Sequence, residues 1–571
     1  MSESSRTVDR AGLFWTLLPH LVFAVLFVAT FKRWILPFED SGREMNAALR
    51  LADGEVLYRD VGYPYGPLPP VIDGLLLRAF GRNLDVLVAW RTVLALLGVE
   101  ALRRLARRLA PGEALAAAVS TFAVAACAFG VGGSWPFRYS VAALAGMVGV
   151  WWAIELALAA ESFQASLAAG AVAGLAAATK LEFLPVALAG PALVLGLRRP
   201  RKEAFWVSAW TLGTAAIAYA VPIVLFGEGL MKRQGFLIAL SVPEPWRHVY
   251  ESVLFGGLTP ADFARGGFGD VLIPSALGLA LVLLLPGGGR TFDLVLPPLL
   301  LAAGALTFLS PGNAWLHALL PLAACVAIGG LFKAAIAWRR GDPSHVPEAV
   351  GVALVMLPAL ARQPFFLRNP VYGAFSAPLA LVVALGWIGR HTRARRAFAA
   401  LVLGLSTAQI ALRLQGIGLA DMTRTSLPGA TVSLVPAESR FVTEAARVIL
   451  ETVPEGGTIG IFPEPGFLLF VTGRKNPFVD ELFLPGIQDA AAEDLMIRRL
   501  RERRPGALLV TNRAYPEFGA AIYGHGLLDR FFLEVSRRYV LAGRIGGEAG
   551  PVPMRHASGA LLFVPRSGQA R

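Results

Sequence analysis

Long apolar stretches recur along the first three quarters of this sequence, beginning with Leu13 to Phe31. A helix needs about 20 apolar residues to cross the hydrocarbon core of a bilayer. In lipid every backbone amide must be satisfied within the spanning segment, so such runs fold as helices. Spans are expected near 13–36, 85–102, 112–131, 141–160, 165–180, 183–197, 204–226, 271–286, 294–309, 316–335, 347–361, 373–389 and 397–416, about thirteen in all. Only 16% of the residues are charged and the mean hydropathy is +0.57, whereas a soluble protein carries about 25% charged residues. A water-soluble fold of 571 residues is excluded on that ground. The expected class is mainly α, a polytopic membrane protein.

The basic residues test this layout independently. Clusters at 103–108, 198–202, 333–340 and 390–396 fall between apolar runs. With the N-terminus (Arg6, Arg10) cytoplasmic, all four lie on the cytoplasmic side, as the positive-inside rule requires. Lys32 and Arg33, near the outer end of the first span, are the exception. The net charge of +13 therefore reads as topology; no aromatic-interleaved basic groove for nucleic acid is present. Cys127 and Cys325 both fall within expected spans, so no disulfide framework is expected. The first apolar run is too long for a signal-peptide core and is read as a retained span. Trp135, Trp246, Trp315 and Tyr372 suit an interfacial aromatic belt and equally a wall for the sugar or lipid tail. The Ala-, Arg- and Gly-rich composition fits a GC-rich bacterial genome, and with it the inner membrane.

Two regions stand outside the spans. Outer loop 37–84 carries Met45, Ala48, Leu49 and Ala52 at helical spacing, which predicts an amphipathic helix in the interface, stopped at Gly54. A proline-rich run, Gly62 to Pro70, predicts a stiff turn, and a second short helix follows near 71–80. The tail, 417–571, alternates helical stripes (Val442, Ala445, Ala446, Ile449, Val453; a charged helix near 487–504) with short β runs at Thr458–Phe462 and Ala507–Thr511. That alternation predicts a small extracytoplasmic α/β domain, beside a transmembrane domain at 1–416. It holds no phosphate-loop or dinucleotide fingerprint.

Charged residues at membrane depth cost roughly 2.5–3.5 kcal/mol each on insertion scales, so they point to function. Lys180 and Glu182, in a turn between two short spans, are such a pair. Just beyond the first span stands Phe38-Glu39-Asp40-Ser41-Gly42. Locally, Asp40 or Ser41 could simply cap a helix starting near Arg43.

The wider pattern resembles the first outer loop of the GT-C glycosyltransferases that use polyprenyl-phosphate-linked sugars, among them the protein O-mannosyltransferases and aminoarabinose transferases. The residues that carry the likeness are Asp40, Tyr58-Arg59-Asp60 and Tyr63-Pro64-Tyr65-Gly66-Pro67. Thr179-Lys180-Leu181-Glu182 is similar to the superfamily's Thr-Lys-x-Glu turn, and Thr472-Gly473-Arg474-Lys475-Asn476-Pro477 to a recurrent Thr-Gly-Arg-x-x-Pro. The resemblance implies a sugar moved, with inversion, from a polyprenyl-phosphate donor to an extracytoplasmic lipid, glycan or protein acceptor. It implies Asp40 as the catalytic base, with Glu39 as its alternative. The leaving phosphate needs cations, for which the outer-facing candidates are Arg59, Arg138, Lys180, His317, Arg362 and Arg368. Each of these also reads as an interfacial residue reaching headgroups.

Metal-using members add carboxylates in a second outer loop. Here that loop, Ser134 to Ser140, has no acid, and Glu39, Asp40 and Asp60 are a thin oxygen set for a divalent ion. A reaction without metal or other cofactor is therefore expected, with a divalent ion as the less favoured alternative. Two readings from other classes stand beside this one. A transporter or flippase of lipid-linked glycans would ordinarily show internal repeats, and none is visible. A non-catalytic envelope scaffold would leave Asp40 as a simple cap.

Overall fold

The computed structural model describes residues 10–128 apart from Leu36 and Glu39, 141–198, 201–226, Arg339, 377–415 apart from Arg393, 421–484, 488–513, 522–547 and 558–566. The spans expected between 271 and 361, and Cys325, lie outside these residues.

The described chain is mainly helical. α1 (Arg10–Ala29) is followed by α2 (Asp40–Ala52) and α3 (Leu68–Phe80) in the first loop. Then come α4 (Leu84–Leu109), α5 (Glu113–Cys127), α6 (Val141–Ala159), α7 (Phe163–Thr179), α8 (Leu184–Arg198) and α9 (Arg201–Phe226). After the undescribed stretch, α10 (Ala377–His391) and α11 (Arg395–Arg413) pack on α5. Starts are set by side chains where the sequence offers them: Asn83 accepts from the Asp85 amide at 2.9 Å, and Ser162 from the Ala165 amide at 3.2 Å.

By length and composition, three of the described helices can cross a membrane: Ala11–Ala29, Val141–Ala159 and Lys202–Val221. α1 and α9 leave rows of large apolar side chains exposed, Leu13, Leu17 and Leu21 on one and Trp210, Ile217 and Val224 on the other. Such faces are stable against lipid and costly against water. The helices meet through small residues. Ala153, Ala173, Ala177, Ala187 and Ala215 form one buried cluster. A Cβ on Gly170 would sit 2.9 Å from the Val207 carbonyl oxygen of α9, so α7 and α9 approach as closely as small-residue packing allows.

The first span differs from its expected length. α1 ends at Ala29, and residues 30–35 turn. Lys32, the exception to the charge pattern, is buried in that turn and paired with Asp85. α3 begins at Leu68, three residues earlier than expected. Pro69 and Pro70 fall in its first turn, where a missing N–H costs nothing.

The tail carries β1 (Thr423–Leu427) and β2 (Ala430–Leu434), an antiparallel hairpin, then α12 (Pro436–Thr452), β3 (Ile459–Phe462), α13 (Gly466–Thr472), α14 (Ala490–Arg503) and β4 (Ala507–Thr511). β5 (Ile522–Tyr523) and β6 (Gly526–Leu527) form a small pair. α15 (Asp529–Arg538), β7 (Tyr539–Gly546) and β8 (Gly559–Pro565) complete the described chain. The main sheet has the order β3-β4-β8-β7, with β3 and β4 parallel and the other pairs antiparallel. Phe462, Phe478, Phe483 and Phe531 pack in a second core beside it.

The tail is tied into the helical part. Phe38 and Phe441 pack with tilted rings, their centroids 5.7 Å apart. The Leu84 amide donates to the Gly429 carbonyl at 2.8 Å, and the Ser433 amide to the Lys32 carbonyl at 3.1 Å. The largest hydrophobic core runs unbroken from Phe23 in α1 to Leu562 in β8.

Candidate active site

α2 begins at Asp40 itself, so the helix starts three residues before the expected position near Arg43. Ser41 lies inside it, and its buried Oγ makes no capping hydrogen bond. Residues 41–50 are buried on every side, which corrects the expectation of an amphipathic helix lying in the interface. The reason is a second cover. α3 packs on one side of α2 and α13 on another. Contact with α13 is close enough to require glycine on both partners. A Cβ on Gly42 would lie 2.7 Å from the Phe467 amide nitrogen, and one on Gly466 would lie 2.2 Å from the Gly42 carbonyl oxygen.

Arg43 and Glu44 follow Asp40 by three and four positions, the spacing that shares a helix face. Both are buried. Glu44 accepts from the Val141 amide at 2.6 Å and from the Tyr63 hydroxyl at 3.3 Å. Arg91 of α4 brings its guanidinium to 3.6 Å from Glu44 and 3.8 Å from Asp73 of α3. Asp73 is 1% exposed, and neither of its oxygens has a hydrogen-bond partner among the described residues. Burial pushes its carboxyl up to about 7. Arg91 opposes that shift, and Glu44 adds to it.

The turn at 58–67 closes over this face. Tyr58 takes a left-handed backbone (φ 66°), rare for a residue with a bulky side chain. Its hydroxyl holds the strain by donating to the Tyr65 carbonyl at 2.6 Å, and its amide donates to the Val61 carbonyl at 2.9 Å. The Tyr63 and Tyr65 rings meet edge to face at 5.7 Å. Gly66 then docks on the end of α7, its amide donating to the Thr179 carbonyl at 3.0 Å.

That docking fixes the cations. Lys180, buried at the break between α7 and α8, holds its ammonium 4.6 Å from the Tyr65 ring centroid. The Arg43 guanidinium lies 5.6 Å from the same centroid. Two positive groups thus gather on one aromatic ring, beside the helix that Asp40 begins. Such a pair suits an anionic group.

The candidates from sequence divide accordingly. Lys180, Tyr63, Tyr65, Gly66 and Pro67 come together at one locus. Arg59 stands away in solvent, with its side chain 56% exposed and its guanidinium on Asp60 at 2.7 Å. That hydrogen bond, against the small cost of partial burial, holds the Asp60 carboxyl below its ordinary range. Glu39, Arg138, His317, Arg362 and Arg368 lie outside the described residues, as do Trp135, Trp246, Trp315 and Tyr372. Four buried charges at this locus were not among the sequence candidates: Arg43, Glu44, Asp73 and Arg91. Arg91 had a signal, being an arginine inside an expected span.

No protein-family model matches the chain, and no curated protein sequence does. Among solved structures, the chain is similar to ArnT from Cupriavidus metallidurans. The crystal structure bound to undecaprenyl phosphate is 14% identical, with a TM-score of 0.43 over 98% of this chain and 99% of that one. The apo crystal structure is also 14% identical, with a TM-score of 0.41 over 97% and 98%. At 14% identity, this chain's own residues carry the functional reading.

Proposed function

We propose that this protein is a membrane glycosyltransferase that moves a sugar from a polyprenyl-phosphate donor to an extracytoplasmic lipid, glycan or protein acceptor. The observation that carries the reading is the docking of Tyr65-Gly66 on Thr179-Lys180. It brings two separately recognised sequence motifs to one locus and sets Lys180 and Arg43 on the Tyr65 ring.

The chemistry follows from those residue types. An acceptor hydroxyl attacks the anomeric carbon, and the bond from that carbon to the phosphate oxygen breaks, with inversion. Asp40 takes the hydroxyl proton as general base, a role typically worth about 10²–10⁴-fold in rate. The departing polyprenyl phosphate gains negative charge, which the buried ammonium of Lys180 neutralises. Tyr65 holds that ammonium in place before the donor arrives. Tyr63, fixed by Glu44, keeps the turn rigid, and burial pushes its phenol well above the ordinary range, so it stays protonated. Further cations from Arg138, His317, Arg362 and Arg368 belong to the same role. Arg59, already paired with Asp60, is the least suited. A reaction without a divalent ion is favoured over a metal-assisted one, because the loop at 134–140 offers no acid.

The protein sits in the bacterial inner membrane, its N-terminus cytoplasmic and its tail outside, where a lipid-linked donor and a secreted acceptor meet. Turnover by the full chain in proteoliposomes, against a panel of polyprenyl-phosphate sugars with and without chelator, tests this. Release or transfer of sugar from at least one donor, unaffected by chelator, is expected. Uptake of an intact lipid-linked glycan without bond cleavage would instead mark a flippase.

A further inference from the structure

The buried carboxylate of Glu481 stands far along the chain from the proposed site, yet it meets α2 directly. Its side chain is 0% exposed. One oxygen takes the Arg50 guanidinium and accepts from the Asn476 amide at 3.3 Å. The other accepts from the Asn46 amide at 2.7 Å. Asn46 and Arg50 are one turn apart on α2, so a single carboxylate grips two successive turns of that helix.

Arg50 passes the grip onward. Its Nε donates to Glu55 at 2.8 Å, and its Nη2 donates to the Asp60 carbonyl at 2.6 Å. Two residues later the Gly62 amide donates to the Val479 carbonyl at 2.7 Å. The loop then runs straight into Tyr63 and Tyr65. Segment 476–481 therefore fixes both α2, which begins at Asp40, and the loop that carries Tyr65.

An apolar contact would stabilise such a junction at least as well, since a buried ion pair roughly cancels its own desolvation cost. What the polar arrangement adds is direction. Every donor aimed at Glu481 has one angle and one length at which it is satisfied. We propose that Glu481 is a positioning residue of the transfer site, holding α2 and the 55–66 loop in reacting register from the tail. The inference rests on the function proposed above, and it makes the tail part of the catalytic unit.

The test uses the full chain in proteoliposomes and four variants. Glu481→Gln keeps an acceptor for Arg50 and, with Asn46 turned over, a second hydrogen bond. Arg50 also keeps Glu55. Glu481→Ala removes the grip, and Glu481→Asp shortens it by one methylene. Leu500→Ala, in the second core away from α2, is the control for mere loss of tail stability. Misplacement of about 1 Å costs on the order of 10²-fold in rate. Expected is a kcat loss of that order in Glu481→Ala and at least about tenfold in Glu481→Asp, with donor KM little changed. Glu481→Gln should return within about fivefold of wild type, and Leu500→Ala should lower Tm but not kcat below its melting range. Equal kcat losses in Glu481→Ala and Leu500→Ala, or no loss in Glu481→Ala, would overturn the proposal.

Amide hydrogen exchange keeps the test independent of the reaction. Should wild type turn over no donor, the function proposed above fails, and exchange at Tyr58, Gly62 and Gly66 decides this one. About tenfold or faster exchange at those amides in Glu481→Ala alone supports positioning. Unchanged exchange, or equal acceleration in Leu500→Ala, rejects it.

Discussion

The amide of Gly66 donates to the carbonyl of Thr179 at 3.0 Å, and a Cβ added to Gly66 would lie 2.0 Å from the neighbouring Ala178 carbonyl oxygen. No side chain fits between this turn and the end of α7. Gly66→Ala must therefore push the 58–67 turn away from Lys180. Overpacking of this kind costs about 1–3 kcal/mol. A lower melting temperature in detergent is expected, with transfer reduced at least about tenfold. A melt and an activity unchanged from wild type would show that the docking is dispensable.

Lys180 is proposed to meet the donor phosphate, and the Tyr65 ring centroid lies 4.6 Å from its ammonium. A hydrogen bond to a charged group contributes about 1.5–3 kcal/mol, so Lys180→Met should lower kcat/KM roughly 10–100-fold. Much of that loss should fall on donor KM. Tyr65→Phe keeps the ring face and should be mild. Tyr65→Leu removes it and should approach the Lys180→Met defect, because the cation–π contact contributes about 0.5–2 kcal/mol. Steady-state kinetics with varied donor separate these outcomes.

Asp73 gives a pH dependence of known sign. Its carboxyl is raised by burial from an ordinary 3.8 to about 7, so between those values the folded protein holds a proton that the unfolded chain has released. Stability from this group is fully present below the unfolded value and declines as pH rises through the folded one. Melting temperature should therefore fall between about pH 4 and pH 7 and level off above that. Asp73→Asn should flatten that decline and melt higher than wild type at pH 8. A wild-type decline that persists in Asp73→Asn would assign the proton elsewhere.

How much of this was legible in the sequence depends on the distance over which each residue acts. The β4 run, Ala507 to Thr511, was readable to the residue because its apolar pattern is local. So was the end of α2, with Gly54 taking a positive φ of 90° just beyond Ala52. The start of α3 escapes the sequence because Pro69 and Pro70 read as breakers, although the first turn of a helix tolerates them. The burial of α2 could not be seen. Its Arg50 and Asn46 look like a solvated polar face until segment 476–481 is brought against them. Glu481 pairs across 431 residues of chain, and no spacing rule spans such a separation. Lys180 and Tyr65 were each singled out locally, but only the fold puts one over the other.

The central claim is that Asp40 removes the acceptor proton in a glycosyl transfer. Single-turnover transfer in proteoliposomes, comparing wild type with Asp40→Asn at matched melting temperature, tests it most directly. A rate loss of about 10²-fold or more in a folded Asp40→Asn protein is predicted, with donor binding retained. An Asp40→Asn protein that transfers sugar at the wild-type rate would contradict the assignment.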